Sequence, residues 1–369
     1  MANAIFMRVK NKQLLEEVLA FFQSLGENDN VAVIHHTDPD GITSGVLAGK
    51  IVERLRKKKI DLRYNQLGSE IRITERTVSY LKKQGINKII ITDLASDSDA
   101  KTMTSLSEFA QVLLMDHHTV YPMDNDVLVF KPQIAFGVDD ASTYCSAKLV
   151  FDIGSLLVNM DDLDWVCAVG MIGDMATTQW SSFMASVKRR LGITCSDLFD
   201  SVLGRCAVVL SSAESYDSGN VAECYSVVYA SSSPEQVVRS SLSKYEVAIN
   251  KEVVRLLDAY HDKAEQHGSV VFYEVRPEYG VKAIVSNLLS LQHKNIFLVV
   301  ADMNEDPVRF SARRQDREVP VNAVVASCAE GIGVAGGHIP AAGGSIPKKH
   351  WVEFKKRVVE RVNSYEKGL

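Results

Sequence analysis

Apolar positions in the first half of the chain alternate between two periods. From residue 12 to 25 they recur at helical spacing, and a short unbroken run, "VAVIH" (31–35), follows. Between Thr43 and Lys58, the residues Val46, Leu47, Ile51, Val52 and Leu55 share one helical face, which ends in the basic "RLRKKK". A strand near 60–65, a helix near 74–84, "KIIIT" (88–92), a helix near 100–109 and "VLLM" (112–115) continue the alternation. Apolar runs this short, separated by amphipathic helices, predict a parallel sheet with helices on both faces. Helical patterns then dominate, in "STYCSAKLVFDIGSLLVN" (142–159), in "LDWVCAVGMIGDMATT" (163–178) and onward to about 230. The serine- and proline-containing "ASSSPEQ" (230–236) interrupts them, a charged helix is expected at 235–266, and "GSVVFYEV" (268–275) opens a second strand-containing unit. That unit holds "NIFLVVADM", "RFSARRQ", a glycine-rich segment and a closing basic helix. The predicted architecture is α/β, with two α/β domains: an N-terminal parallel-sheet domain (1–232) and a smaller C-terminal domain (268–369), joined by a helical linker (233–267).

Composition narrows the function classes. A chain of 369 residues with 46% hydrophobic content and a net charge of −5 is that of a soluble globular protein with two domains more readily than one. No apolar run approaches the roughly 20 residues needed to cross a bilayer, so no membrane partner is expected. "MANAIFMRVKNKQ" lacks the apolar core of a secretory signal, which makes the cytoplasm the expected compartment. The 6 cysteines are scattered without a C-x-x-C pair, which argues against a zinc ribbon or a disulfide framework. Overall acidity argues against holding long duplexes by charge alone. The region from Glu305 onward is nevertheless weakly basic, as suits an anionic substrate gripped at one end.

The chemistry lies where the predicted strands end. Asp38 and Asp40 follow the first apolar run, Asp93 follows "KIIIT", and Asp116, His117 and His118 follow "VLLM". In an open parallel sheet the carboxyl ends of the strands line one crevice, so these residues converge although far apart in sequence. Asp174 is a further carboxylate, read as lying inside an otherwise apolar helix, where an uncompensated charge is costly. Each element alone has an ordinary explanation as a cap or turn, but their common placement does not. Carboxylates and imidazoles converging with few cations nearby would repel one another, and a pair of divalent metals removes that repulsion. Mixed Asp/His ligation favours Mn²⁺, with Mg²⁺ the alternative. Such a pair can activate a water and hold both oxygens of an in-line phosphoryl displacement.

"HTDPDG", "TD" (92–93), "DHH" (116–118) and "GD" (173–174) resemble the four ordered motifs of the DHH phosphoesterase superfamily, over about residues 30–180. That group includes RecJ-type single-strand exonucleases, nano-RNases, cyclic-dinucleotide phosphodiesterases and family II pyrophosphatases. "AGGHIPAAGGS" (335–345) and "FSARR" (310–314) resemble the G-G-H and S-x-R elements of the DHH-associated C-terminal domain. The resemblance implies Asp38, Asp40, Asp93, His117 and Asp174 as metal ligands, with Asp93 bridging. It also implies that Asp116 orients its neighbours, that His118 faces the scissile phosphate, and that Arg313, His338 and the backbone at Gly336 and Gly337 hold the far end of the substrate. Many members place the first-motif histidine where this chain has Ile34. Here His35 and His36 compete for that role, and alternation along a strand lets only one face the crevice. His36, two residues before Asp38 as in the archaeal RecJ-like branch, is the favoured ligand. "GIGVAG" (331–336) satisfies a dinucleotide-binding pattern but follows a helical segment, so that reading is set aside. Arg309, Arg313 and Arg317 are expected on one strand face, with Arg314 pointing away.

The implied activity is a Mn²⁺-dependent exonuclease acting on single-stranded DNA or RNA, or on short oligonucleotides. The alternative is a nano-RNase or 3′-phosphoadenosine 5′-phosphate phosphatase. From another class, a replication-complex accessory subunit is implied by relatives that have lost their ligands. The expected partners are the nucleic acid itself and a replication or repair protein.

Overall fold

The computed structural model describes residues 8–65 and 73–367. The first residues of the segment tested above for a secretory signal, and the last two of the C-terminal domain, lie outside the described residues. The chain divides into two compact units, Met1–Glu246 and Val247–Leu369. The segment expected as one helical linker (233–267) holds the Pro234–Val238, Ser243–Asp258 and Tyr260–Lys263 helices and then a short strand, Glu265–His267, and the division falls within the second helix. No helix of the described residues is long and apolar enough to cross a membrane.

In the first unit the described strands β1 (Val31–His35), β2 (Leu62–Asn65), β3 (Lys88–Thr92), β4 (Gln111–Met115) and β5 (Leu128–Phe130) form one sheet. Its order is β2-β1-β3-β4-β5, and every pairing is parallel. Every residue of β1 and β3 is buried, as their unbroken apolar runs require. Alternate side chains serve two cores. Val31, Val33, Ile90, Leu113 and Met115 face one core, together with the Lys12–Gln23, Pro39–Arg56, Ser146–Leu157 and Asp164–Gly173 helices. Ala32, Ile34, Ile89, Ile91 and Leu114 face the other, which includes residues of the Glu75–Lys83 and Ala100–Ser107 helices. Strand addition switches from one side of β1 to the other between β2 and β3, and the crevice at the carboxyl ends of β1 and β3 is where such sheets bind ligands.

The second unit contains β6 (Glu265–His267), β7 (Val270–Val275), β8 (Phe297–Asp302), β9 (Val308–Arg313), β10 (Val334–His338) and β11 (Ala341–Ile346), in the order β10-β11-β9-β8-β7-β6. Only β7 and β8 run parallel among these pairings. One face packs Phe310, Ala312, Ala342 and Ile346 against the Val321–Ala329 and Trp351–Glu366 helices. On the other face, Leu298 and Val300 pack against Val285 and Leu289 of the Lys282–Gln292 helix. The glycine-rich segment forms an antiparallel hairpin of two strands, β10 and β11.

Candidate metal centre

The segment after β1 turns at once into a helix. Asp38 is the N-cap of Pro39–Arg56, and its Oδ1 accepts from the Gly41 amide at 2.8 Å. Pro39, with its fixed φ and missing donor, suits the first helical position. Asp38 is therefore a cap, but one whose other oxygen lies 3.1 Å from His36 Nδ1. Gly41 permits this turn, because a Cβ there would lie 2.5–2.7 Å from His36 atoms, two of them backbone. Asp40 is buried, and both of its oxygens accept backbone amides at the start of the Ser146–Leu157 helix, Ser146 N at 2.8 Å and Ala147 N at 2.9 Å.

The two adjacent histidines diverge. His35 is fully buried: Nδ1 meets the His36 carbonyl at 2.6 Å, Nε2 meets Arg63 at 3.2 Å, and the ring stacks on Tyr225. His36 turns the other way, with Nδ1 also 3.8 Å from Asp93 Oδ2. Asp93, directly after β3, has φ +59. A non-glycine residue in that region is uncommon, and here it directs a buried carboxylate into the crevice. Its Oδ1 accepts from Ser146 Oγ at 3.0 Å.

After β4, His117 and His118 divide their ring atoms in opposite senses. His117 places Nδ1 3.3 Å from the Ala141 carbonyl, so that nitrogen carries the proton and Nε2 faces carboxylate oxygens, 3.4 Å from Asp93 and 3.7 Å from Asp174. His118 donates Nδ1–H to Asp116 Oδ1 at 2.7 Å, which leaves Nε2 on its partly exposed side. Asp174 is not inside its helix. It is the C-cap of Asp164–Gly173, followed by Met175 in a left-handed conformation. A carboxylate is electrostatically disfavoured at a helix C-terminus, which sharpens the need for a cation beside it.

The electrostatics show the same need. Burial opposes charge on His36, yet Asp38, Asp93 and Glu214 raise its pKa to about 10. Burial likewise opposes a charged His117, but Asp174, Asp93 and Asp40 push it well above its ordinary value. Asp93 is raised well above the carboxylate range by burial and then by Asp40 and Asp38. Asp40 is also raised, chiefly by burial. Without a cation, protons on these groups lessen the repulsion among the carboxylates. Its donors fit a metal: His36, Asp38 and Asp93 bring ligand atoms within 4.8 Å of one another, and so do Asp40, Asp93 and His117, with Asp93 common to both groups. The His117 tautomer, fixed by a backbone carbonyl, is the arrangement a metal-binding imidazole needs.

Lys131, Asp97 and Ser146 contribute to this region without having been singled out in the sequence. Lys131 is fully buried between Asp97 Oδ2 at 2.8 Å and Asp116 Oδ2 at 2.9 Å. Burial alone would raise the Asp116 carboxyl, but His118 and Lys131 hold it well below the usual range. The only sequence signal was a lysine before a proline after an apolar run, which is too common to mark a site.

In the second unit, Arg313 on β9 and His338 on β10 both register with Ala341 of the intervening β11. Cross-strand partners share a face, so Arg313 and His338 project from the same side of the sheet. Gly336, two residues before His338, shares that face, and a Cβ there would meet nothing within 4 Å. Gly337 has φ +143, and a Cβ there would lie 2.6 Å from the Ala341 carbonyl, so the hairpin itself requires that glycine. Arg309 and Arg313 share the β9 face as expected, but Arg317 lies beyond the strand. Arg314 is buried and paired with Asp316 at 2.9 Å and Glu366 at 2.6 Å.

The DHHA1 domain family matches residues 269–367. No curated protein matches the chain by sequence. Among solved structures, RecJ from Thermus thermophilus in complex with Mn²⁺ is similar, with a TM-score of 0.69 at 17% identity, over 96% of this chain and 55% of that one. The chain thus spans about half the length of that protein. Exonuclease RecJ bound to manganese gives a TM-score of 0.69 at 16% identity, over 98% of this chain and 96% of that one. The DHH domain of a member of the S1p family of ribosomal proteins gives 0.71 at 14% identity, over 98% and 94%. The DHHA1 domain family thus matches the C-terminal part of the chain, and over nearly its whole length the chain has the fold of RecJ and of a DHH domain, with the ordered D-x-D, D, D-H-H and D motifs in its first unit.

Proposed function

We propose that the chain is a metal-dependent phosphodiesterase that shortens single-stranded DNA, RNA or short oligonucleotides from one end. The observation that carries this reading is the overlap of the two donor groups on Asp93, at the carboxyl ends of β1 and β3. His36, Asp38, Asp40, Asp93, His117 and Asp174 would hold a pair of divalent cations. The imidazoles among the oxygen donors favour Mn²⁺ over Mg²⁺. When bound, such a pair supplies a hydroxide at neutral pH and charge stabilisation for in-line displacement at phosphorus.

The protein's own groups complete the task. Asp40, anchored at a helix N-terminus, and Asp93, tied to Ser146, keep their carboxylates fixed before any cation arrives. Asp116 accepts the Nδ1–H of His118, so Nε2 is the ring atom presented to a substrate phosphate. Arg313, with its planar fork, suits the terminal phosphate of the substrate. His338 and the open backbone at Gly336 would complete that second contact, with Gly337 holding the hairpin turned beside them. A purely structural replication subunit has no use for an intact donor set, which favours the enzymatic reading.

The test is hydrolysis of 5′-labelled and 3′-labelled single strands, as DNA and as RNA, and of a dinucleotide, all with Mn²⁺. Stepwise products from one labelled end are the expected result. Cleavage of the dinucleotide alone would move the assignment to a nano-RNase. Absence of cleavage with metal bound would overturn the phosphodiesterase reading.

A further inference from the structure

Lys131 follows β5 directly, and its side chain is wholly buried, as are those of Asp97 and Asp116. An ammonium has three donors. Those of Lys131 reach Asp97 Oδ1 at 2.9 Å, the Thr119 carbonyl at 2.8 Å and the His118 carbonyl at 3.4 Å, and the ammonium also forms an ion pair with Asp116 Oδ2 at 2.9 Å. Nearby, Gln133 Nε2 donates to the His118 carbonyl at 3.0 Å, and Asp97 Oδ2 accepts the Tyr121 amide at 3.0 Å. The loop bearing both histidines is therefore held from beneath by one cation and its acceptors. Simple neutralisation of a buried lysine needs one carboxylate, and Asp97 provides it. The second, Asp116, commits its other oxygen to His118 Nδ1 at 2.7 Å. Asp97, Lys131, Asp116 and His118 thus form a continuous chain that ends at the ring facing the centre.

We propose that Lys131 is a positioning residue for hydrolysis, acting through Asp116 on the ring of His118. This rests on the phosphodiesterase reading. Lys131 itself touches no substrate, and its role is to keep Asp116 in place as the acceptor that orients His118.

Replacement of Lys131 alone leaves two buried carboxylates without their cation and can cost the fold. The informative variant is therefore Lys131→Met combined with Asp97→Asn, which removes the surplus charge as well. Its melting temperature is expected near that of the wild type, with kcat for Mn²⁺-dependent hydrolysis lowered about 10–100-fold, the range for groups that orient a site from behind, and KM changed less than about twofold. The same pair of changes placed on His118→Ala should lower kcat by less than about twofold further, because the path runs through that ring. Wild-type kcat in the stable double variant would overturn the proposal, and so would an undiminished loss on the His118→Ala background. Failure of the wild type itself to hydrolyse would instead overturn the phosphodiesterase reading.

Discussion

His35 donates Nδ1–H to the carbonyl of its neighbour and receives Arg63 on Nε2, so its ring is neutral and fully used inside the fold. Burial, and then Arg63, lower its pKa from 6.5 to about 3. The native state thus refuses a proton that the unfolded chain accepts. Stability from this group is complete above the unfolded pKa and declines as pH falls toward the folded one. The slope is at most about 1.4 kcal/mol per pH unit. In chelator, urea unfolding of the wild type should lose about 2 kcal/mol more than His35→Gln between pH 6.5 and pH 5, as that slope requires. Equal losses would mean that His35 is not held neutral. His36 is the opposite case, surrounded by carboxylates and raised. A strand's alternation shows that the two rings must part, but not which way each goes. The Tyr225 ring and the Arg63 guanidinium that claim His35 come from distant segments that no local pattern announces.

At the scale of elements, the turn from β1 into the Pro39–Arg56 helix is the most constrained junction of the centre. Gly41 donates to Asp38 and lies against His36 with no room for a Cβ. Gly41→Ala is expected to destabilise the protein by about 1–3 kcal/mol, the usual range for forced overpacking, and to depress activity further by displacing His36 and Asp38. Chemical denaturation and steady-state kinetics on the same preparation check this, and a variant of wild-type stability and activity would contradict it. The first four strands and their helices were legible because each combines a short apolar run with a period change. β5 was not, since its 3 residues are too few to show a period. The β10–β11 hairpin was hidden because Gly336, Gly337, Gly343 and Gly344 carry no side chains from which a strand pattern could be read. Asp174 looked internal to a helix because the apolar run continues past it. Helix termination there depends on the left-handed backbone of Met175, which composition does not encode.

At the scale of the whole molecule, the ordered acidic motifs conveyed the chemistry of the first unit because a parallel sheet gathers its strand ends at one edge. Their geometry had to come from the structure: the shared position of Asp93, the His117 tautomer, and the lysine beneath the loop. In the second unit, the common register of Arg313 and His338 on Ala341 gives physical content to "FSARR" and "GGH", two motifs that the sequence keeps apart. The account therefore stands or falls on whether the cluster around Asp93 holds the metal on which hydrolysis depends. Free Mn²⁺ can be followed by electron paramagnetic resonance as it is titrated into the wild type and into Asp93→Asn, with hydrolysis of an end-labelled single strand measured on the same samples. The account predicts uptake of two ions and hydrolysis by the wild type, with both uptake weakened and hydrolysis abolished in a folded Asp93→Asn protein. Unchanged Mn²⁺ uptake or undiminished hydrolysis in that variant would contradict it.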